Sequence, residues 1–293
     1  MNYPENYQSS LDLLHTEIAI KLVKDTFERQ LAEHLKLTRV SAPLMVKKNS
    51  GINDDLNGVE RPIGFDVPAL DGEQLEIVHS LAKWKRMALR QYGIARFKGI
   101  YTDMNAIRRD EKLDNLHSIY VDQWDWEKVI EEEDRNIEFL KGTVDRIMKA
   151  IMDTENVIRD NYPELKTIIP DPDVYYITSG ELYEMFPDIS AREREYRIVK
   201  EHKNVFIMQI GDRLPDGVPH DGRAPDYDDW QLNGDLLFWY DLLNCPVEIS
   251  SMGIRVNADS LMSQLKKADK LERAGLPFHK ALLSGELPLT MGG

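Results

Sequence analysis

Two ten-residue segments alternate in side-chain polarity with period two, and this pattern constrains the fold more than any other feature of the chain. The segments are HSIYVDQWDW (117–126) and VEISSMGIRV (247–256). Alternation of this kind, with β-branched and aromatic residues, is typical of strands that bury one face and expose the other. Strands of that type belong mostly to antiparallel sheets.

The remaining patterns place helices and strands in irregular order. Helices are predicted near 10–35, 79–92, 127–159, 190–201, 258–273 and 278–285, and further extended segments near 38–46, 171–178, 205–211 and 236–240. The order lacks the regular βαβ repeat, and no G-x-G-x-x-G motif occurs. We therefore predict an α+β fold with a mainly antiparallel sheet flanked by helices. No repeat or Pro/Ser-rich linker marks a boundary, so we expect a single domain over residues 1–293.

The charge balance argues against two classes of binding protein. Asp and Glu total 51 against 37 Lys and Arg, a formal net charge of -14, whereas a general nucleic-acid or anionic-membrane binder needs a cationic surface. Cys245 is the one cysteine, which excludes an intrachain disulfide and a multi-Cys zinc site. The N-terminal residues do not resemble a secretory signal, and no apolar run approaches the roughly 18 residues of a membrane span. We expect a cytoplasmic protein.

A lysine lies on the apolar face of the helix predicted within VHSLAKWKRMAL (78–89). On a helical wheel, Lys85 is at the centre of a stripe that is otherwise apolar: Val78, Leu81, Ala82, Ala88 and Leu89. A lysine there loses hydration unless its ammonium group reaches water or an anion. The stripe is compatible with a lysine that extends to solvent at the helix end and with a lysine that faces a buried anion.

Both alternating strands become polar along one face. Gln123 and Asp125 follow Ile119 and Val121 on one face of the first strand, which fits either a polar pocket or a strand end in solvent. In the second strand, Ser251, Gly253 and Arg255 share a face. A glycine inside a strand leaves room for a group that approaches the backbone closely. Arg255 would be the charge partner of that group, or would simply pair with a neighbouring carboxylate.

The window from Gly211 to Asp235 has the most unusual composition, with seven Asp and no Glu. Asp favours turns, so a long solvated loop is one interpretation. The other is a site in which carboxylates around Arg213 and Arg223 hold an amine, or Mg²⁺ beside a phosphate. His220 is a weak signal for a ligand or base. The tryptophans at 124, 126, 230 and 239 are expected to pack in the core.

Together these features predict one pocket of mixed charge on a sheet face. It would contain the Asp-rich window and the side chains of Lys85, Gln123, Asp125, Ser251 and Arg255. Such a pocket suits a small zwitterionic substrate and a nucleotide. The residues alone leave the reaction class open.

Five motifs make the chain recognisable: HSLAKWKR, YVDQWDWE, RAPDYDDW, LNGD and VEISSMGIRV. With them the whole chain closely resembles ammonia-dependent asparagine synthetases (aspartate–ammonia ligases), relatives of the class II aminoacyl-tRNA synthetase catalytic core. The resemblance implies ATP-dependent activation of L-aspartate to a β-aspartyl-adenylate with release of pyrophosphate. Ammonia then attacks the acyl group to give L-asparagine and AMP. It also implies a homodimer that binds ATP and Mg²⁺, with no nucleic acid or membrane partner.

The resemblance also implies roles for individual residues. Asp54 would receive or deprotonate ammonia, Arg108 would stabilise charge at the acyl phosphate, and Gln123 would polarise the reacting carbonyl. Positions around the amino-acid substrate match Ser80, Lys85, Asp125, Asp228, Ser251 and Arg255. Positions near the nucleotide match His79, Ser118, Asp235 and Arg223, the last as the second class II motif's arginine. Asp235 and Glu248 are the candidate Mg²⁺ ligands.

The sequence departs from the family pattern at one point. Family members continue past T-x-G-G into a glycine-rich strand that ends in G-I-G-Q-S-R, the third class II motif, and this sequence reaches Gly293 without it. We therefore expect the third motif, with its phosphate-binding arginine, to be missing. Two alternatives accompany the ligase prediction: a truncated or inactive relative that binds aspartate or nucleotide without turnover, and an aspartyl- or asparaginyl-tRNA synthetase-like core.

Overall fold

A computed structural model describes residues 4, 7–54, 56, 59–165 and 172–293. Its strands are β1 (Leu37–Arg39), β2 (Met45–Lys47), β3 (Gly64–Val67), β4 (Glu73–Ile77), β5 (Gly99–Ile107), β6 (Tyr120–Val129), β7 (Tyr175–Thr178), β8 (Asn204–Met208), β9 (Asp228–Tyr240), β10 (Cys245–Arg255) and β11 (Thr290–Gly292). Its α-helices are α1 (Leu13–Leu35), α2 (Ala82–Gln91), α3 (Ile137–Asn161), α4 (Ser179–Met185), α5 (Ala191–His202), α6 (Ala258–Lys267) and α7 (Pro277–Leu283). Short 3₁₀ helices cover Pro68–Leu70, Glu132–Asp134 and Leu271–Gly275.

Eight of these strands form one large sheet in the order β1-β5-β6-β11-β10-β9-β8-β7. The outer pairs β1–β5 and β7–β8 are parallel, and every other pair in the sheet is antiparallel. A smaller antiparallel sheet has the order β2-β4-β3. The predicted α+β fold with a mainly antiparallel sheet is confirmed.

The two long helices cover one face of the large sheet. Helix α1 begins where the side chain of Asp12 accepts a hydrogen bond from the backbone N–H of His15, and α3 begins at Asn136 in the same way. Their apolar stripes pack on inward-facing residues of the central strands. This core contains Leu31, Leu35, Tyr101, Trp126, Leu140, Val144, Ile147, Phe206, Leu236 and Met252.

Strand alternation directs a different set of side chains to the opposite face. On β5, Tyr101 lies in the core beneath α1 and α3, whereas Met104 and Ala106 pack with Val78 and Leu81 beside α2. The same alternation applies to β6. Asp125 and Glu127, which flank Trp126 in sequence, point towards α2. The polar pocket is therefore built on the α2 face of the sheet. No described helix is long and apolar enough to cross a membrane.

Several predicted boundaries were wrong. The first alternating strand is shifted to Tyr120–Val129, and the predicted helix starting at 127 begins instead at Ile137. The reason is tertiary: Glu127 and Lys128 continue the β-ladder between β5 and β11, so the helix starts only at the Asn136 cap. The strand predicted near 171–178 is found at Tyr175–Thr178, and Asp171 lies outside the described residues.

Other elements were missed altogether. Strands β3, β4, β5 and β11 have no counterpart among the predictions. The extended segment predicted near 38–46 overlaps two separate strands, β1 and β2, which belong to different sheets. Strand β9 begins at Asp228, so the last third of the Asp-rich window is strand rather than loop. The expectation for the tryptophans holds for positions 126, 230 and 239, which are buried, and Trp124 is half-buried against the same core.

Substitution of two glycines by alanine tests this packing, because it should lower the free energy of unfolding at one position and raise it at the other. A Cβ atom on Gly99 would collide with the carbonyl oxygen of Glu127 and lie 2.7 Å from a methyl group of Leu37, so Gly99→Ala should lower the free energy of unfolding by about 1–3 kcal/mol. Gly142 lies within α3, where a Cβ atom would meet only Arg146 at 4.0 Å. Gly142→Ala should therefore raise that free energy by about 0.5–1 kcal/mol. Urea titrations of both variants measure the two changes, and equal destabilisation would contradict the packing described.

Candidate active site

A cavity of about 620 Å³ opens on the α2 face of the large sheet. Its polar walls come from β6, β9, β10, the hairpin between β5 and β6, the Asp-rich window and the segment that leads into α2. Its apolar end reaches residues of α1 and α3 on the other face of the sheet: Phe27, Leu31, Ile147 and Ile151. Ten of the residues predicted from the sequence line it: His79, Ser80, Arg108, Gln123, Asp125, Arg223, Asp228, Glu248, Ser251 and Arg255. The structure thus brings most of the predicted site residues into one space.

Lys85 lies directly beneath this cavity, with only 1% of its surface exposed. Its Nζ donates to the Asp125 carboxylate and, at 2.8 and 3.3 Å, to the carbonyl oxygens of Trp126 and Gly293. A second carboxylate oxygen, Oε2 of Glu127, lies 3.8 Å away. Lys85 therefore does not extend to solvent, and its helix directs it to buried anionic groups. Of the two interpretations of the apolar stripe, the second is confirmed.

Arg255 is the second buried cation of the cavity wall. Its guanidinium forms a bidentate pair with Glu127, with Nε 3.0 Å from Oε1 and one terminal nitrogen 2.8 Å from Oε2. The other terminal nitrogen donates to Asp228. A Cβ atom on Gly253 would lie 2.8 Å from Oδ1 of Asp228. The expected close approach at Gly253 is therefore confirmed, and the approaching group is the carboxylate that pairs with Arg255.

Burial and charge act against each other on these carboxylates. Burial disfavours the ionised form of Glu127, but Arg255 and Lys85 outweigh it and hold the pKa of Glu127 below its ordinary value. For Asp228 the balance is reversed, because burial raises its pKa despite the opposing effect of Arg255. The wall thus combines one firmly ionised carboxylate with one that is more easily protonated.

Asp54 is fully buried behind the cavity, at the start of α2. Its Oδ2 accepts a hydrogen bond of 2.9 Å from the backbone N–H of Ala82, where the partial positive charge of the helix N-terminus is greatest. Its Oδ1 has no hydrogen-bond partner among the described residues and lies 3.5 Å from Nζ of Lys83. Burial raises the pKa of Asp54 to about 6.

A third group of charges stands at the Arg223 side of the cavity. Arg223 donates to Asp235 and, at 3.0 Å, to Oδ2 of Asp221. The negative charge of Asp235 raises the pKa of the nearby Glu248 to about 8. Oδ1 of Asp235 is buried and has no hydrogen-bond partner among the described residues. Two mutually repelling carboxylates beside an arginine form a site that can accept a cation.

Arg108 and its neighbours lie at the mouth of the cavity. Arg108 directly follows β5, where its backbone N–H donates to the carbonyl of Ile119 across the hairpin. Its Nε is buried without a hydrogen-bond partner among the described residues. On the opposite side, the backbone N–H of His79 donates to Oδ1 of Asn53, which fixes the segment that leads into α2. Arg108 can therefore turn towards an anion in the cavity without breaking a side-chain hydrogen bond within the described structure.

Four of the predicted residues are not in the cavity lining. Lys85, Asp54 and Asp235 are buried behind it, each in contact with a lining residue or one step removed from it. Ser118 is exposed on the hairpin between β5 and β6, next to the lining residue His117. The individual roles of all the predicted residues stay predictions.

Two residues of evident importance were missed. Glu127 would have joined the polar face of Gln123 and Asp125 if the alternating pattern had been continued by one more pair of residues. Lys83 was not among the predicted site residues, but it is buried against Asp54 and Asp226. Its partner Asp226 belongs to the Asp-rich window, which is distant in sequence.

The chain is similar to known proteins over almost its whole length. The family profile described as aspartate-ammonia ligase matches residues 14–293. The aspartate–ammonia ligase of Clostridium tetani is 58% identical over 290 residues, which cover 99% of this chain and 85% of that protein. The corresponding protein of Ruminiclostridium cellulolyticum is 56% identical over 290 residues, covering 99% of this chain and 86% of that protein.

Solved structures resemble the chain in fold alone. The asparaginyl-tRNA synthetase of Pyrococcus horikoshii complexed with asparaginyl-adenylate superimposes with a TM-score of 0.63 at 14% identity, covering 94% of this chain. That of Entamoeba histolytica gives 0.61 at 15% identity and covers 95%. The chain spans 62% of the length of each. The fold is that of class II aminoacyl-tRNA synthetase cores, and the profile and the close relatives show that the chain belongs to the aspartate-ammonia ligase family.

Proposed function

We propose that the chain catalyses the ATP-dependent formation of L-asparagine from L-aspartate and ammonia, with AMP and pyrophosphate as the other products. Relatives 56–58% identical to it carry the name aspartate–ammonia ligase. The observation that supports the proposal most directly is the composition of the cavity. Paired cations and carboxylates on one wall suit a zwitterionic amino acid, and Arg223 with two carboxylates suits a nucleotide with its metal ion.

The aspartate substrate carries two carboxylates and one ammonium group. Lys85 and Arg255 supply positive charge for the carboxylates, and Asp125 and Asp228 supply negative charge for the ammonium group. Ser80 and Ser251 add hydroxyl groups at the edge of the same space. Because Glu127 already holds both cations in place, little reorganisation is needed when substrate binds.

Activation transfers an adenylyl group to the substrate. An oxygen of the aspartate β-carboxylate attacks the α-phosphorus of ATP, a P–O bond breaks, and pyrophosphate leaves with the electron pair. Arg108, Arg223 and Gln123 all line the cavity. The two arginines are the proposed donors that stabilise the negative charge on the phosphoryl oxygens, and Gln123 is the proposed group that polarises the carbonyl. His79 and Ser118 are the further proposed contacts to the nucleotide.

Mg²⁺ is proposed at Asp235 and Glu248. These residues fit a cation, because Asp235 Oδ1 has no hydrogen-bond partner among the described residues and the repulsion that raises the pKa of Glu248 would be relieved by positive charge. The part of the chain that the structure describes contains no cluster of three or more His, Cys, Asp or Glu suited to a metal. Phosphate oxygens would therefore complete the coordination. When bound, Mg²⁺ would neutralise phosphate charge.

Ammonia enters the reaction in the second step. Its nitrogen attacks the acyl carbon of the adenylate, the C–O bond to phosphate breaks, and AMP leaves with the electron pair. Ammonium must lose two protons to end as a neutral amide: one before the attack, to expose the nitrogen lone pair, and one after it, which passes to water. Asp54, with one oxygen fixed by Ala82 and the other without a hydrogen-bond partner among the described residues, is the proposed acceptor of the first proton.

The proposal is tested by incubating the purified chain with aspartate, ATP, Mg²⁺ and ammonium and measuring asparagine and pyrophosphate. Stoichiometric formation of both products supports the proposal.

A parallel reaction with tRNA tests the synthetase-like alternative, and aminoacylation without ammonium would favour that function instead. If aspartate binds in calorimetry but no pyrophosphate forms, the inactive-relative alternative is favoured for this polypeptide.

Asp54→Asn should separate the two chemical steps. The variant keeps the hydrogen bond to Ala82 but cannot take a proton, so asparagine formation should fall by about 10²- to 10⁴-fold. Aspartate-dependent exchange of labelled pyrophosphate into ATP, which needs no ammonia, should remain within a few-fold of wild type. Asp160→Asn, on the exposed side of α3, is the matched control. Equal loss of exchange and synthesis in Asp54→Asn would contradict the proposed role.

Glu248→Gln tests the metal site. Removal of this carboxylate should raise the Mg²⁺ concentration needed for half-maximal pyrophosphate exchange by about tenfold. The Michaelis constant for aspartate should be unaffected, because the substrate contacts lie on the other wall. Glu138→Gln, in the exposed first turn of α3, serves as the control. An unchanged Mg²⁺ requirement would exclude Glu248 as a ligand.

A single catalytic domain, a homodimer and a cytoplasmic location complete the proposal. The homodimer is supported by exposed leucines at the start of α1, where Leu13 is 89% and Leu14 68% exposed. Light scattering on the purified chain measures its mass in solution.

A further inference from the structure

Behind Asp54 lies a buried cluster of charges that the proposed mechanism does not use. Nζ of Lys83 stands between two carboxylates, 3.5 Å from Oδ1 of Asp54 and 3.2 Å from Oδ2 of Asp226. All three side chains are at most 2% exposed. Lys83 and Lys85 are two residues apart on α2, so the helix directs them to different sites, Lys83 to Asp54 and Lys85 to Asp125.

Asp226 is held from the opposite side by the C-terminal helical layer. Nε2 of His279, on α7, lies 2.9 Å from its Oδ2, and a terminal nitrogen of Arg273 lies 3.0 Å from the same oxygen. One carboxylate oxygen thus contacts three nitrogen groups from three elements. Asp226 is therefore a fixed anchor for Lys83.

The electrostatic effects of the two neighbours on Asp54 are opposite. Burial is the main cause of its raised pKa, Lys83 lowers that pKa, and the negative charge of Asp226 raises it. Arg255 lowers it as well. The charged and titratable groups that act on Asp54 within the described structure are Lys83, Asp226, Tyr227 and Arg255, and Arg273 and His279 lie behind Asp226.

The orientation of Asp54 depends on the same cluster. Ala82 N–H fixes Oδ2, and the buried Oδ1 forms an ion pair with Nζ of Lys83 at 3.5 Å but has no hydrogen-bond partner among the described residues. Oδ1 therefore keeps a lone pair for an incoming proton while the carboxylate keeps a counter-charge. A hydrogen bond from Lys83 to Oδ1 would compete with ammonium for the same oxygen. Asp226 prevents this competition by drawing the lysine to its own side.

We propose that Lys83 and Asp226 are positioning residues of the ammonia-dependent step: Lys83 keeps Asp54 ionised, and Asp226 restrains Lys83 so that Oδ1 stays open to ammonium. This inference rests on the proposed function of Asp54 as proton acceptor. Neither residue touches the substrate, and both act through Asp54.

The first test is the pH dependence of asparagine formation at limiting ammonium. In the wild-type enzyme the rate should fall as pH drops through about 6, because a protonated Asp54 accepts no proton. Lys83→Met removes the counter-charge of Asp54. The fall in rate on the acid side of the pH profile, here called the acid limb, should therefore move up by about one to three pH units. The rate should recover at high pH. Lys267→Met, which breaks a surface pair with Asp212, is the matched control and should leave the limb in place.

Asp226→Asn should act in the opposite direction on ionisation. Loss of its negative charge lowers the pKa of Asp54, so the acid limb should move down by about one pH unit. The Michaelis constant for ammonium should rise at the same time, because a released Lys83 can donate to Oδ1. A purely structural role would lower activity at every pH without moving the limb in opposite directions in the two variants.

A direct titration of Asp54 distinguishes a change in its pKa from misfolding of a variant and from failure of the proposed mechanism. In protein labelled with carbon-13 at aspartate carboxyl groups, the Asp54 resonance is the one that vanishes in Asp54→Asn. Its pKa should be higher in the charge-balanced Lys83→Met/Asp226→Asn double variant than in Asp226→Asn alone. An unchanged pKa would overturn the inference whatever the activity. If the pKa moves as expected but Asp54→Asn retains full synthesis, the coupling stands and the proposed function of Asp54 fails.

Discussion

The pairing of Glu127 with Arg255 and Lys85 is the interaction on which the site depends. It joins β6, β10 and α2, which come from distant parts of the chain, at a point where all three side chains are almost fully buried. Removal of one member of such a buried group costs about 3–5 kcal/mol, because the remaining charges have no water to compensate them. The same network that holds the elements together therefore also fixes the charges that face the cavity.

This network explains how a chain with a net charge of -14 can hold anionic ligands. The acidic residues near the cavity do not form a diffuse negative surface. Asp125, Glu127 and Asp228 are each paired with a cation, as Asp235 is with Arg223. Their effect is to orient positive groups in a poorly hydrated space, where oriented charges act more strongly than they do in water.

The sequence predicted the parts of the site that have a local signal. Lys85 was visible on its apolar stripe, and Gly253 and Arg255 were visible on one strand face. Strand β5 was missed because clear alternation covers only its last residues, and Glu127 was assigned to a helix because its strand pairing depends on β11, far along the chain. The burial of Asp54 and Lys83 has no local signal, since both are covered by segments distant in sequence. The roles of Asp54 and Arg108 came from family resemblance rather than from pattern.

The position of β11 has a consequence for synthesis on the ribosome. Residues 290–292 occupy the middle of the sheet, between a group of strands completed by residue 129 and another completed by residue 255. Each group can pair internally while translation continues, but their junction waits for a segment made long afterwards. Lys85 and Asp125 belong to the first group, and Asp228 and Arg255 to the second. A nascent chain interrupted before residue 290 would thus lack the strand that joins the two groups, while each group carries part of the binding site.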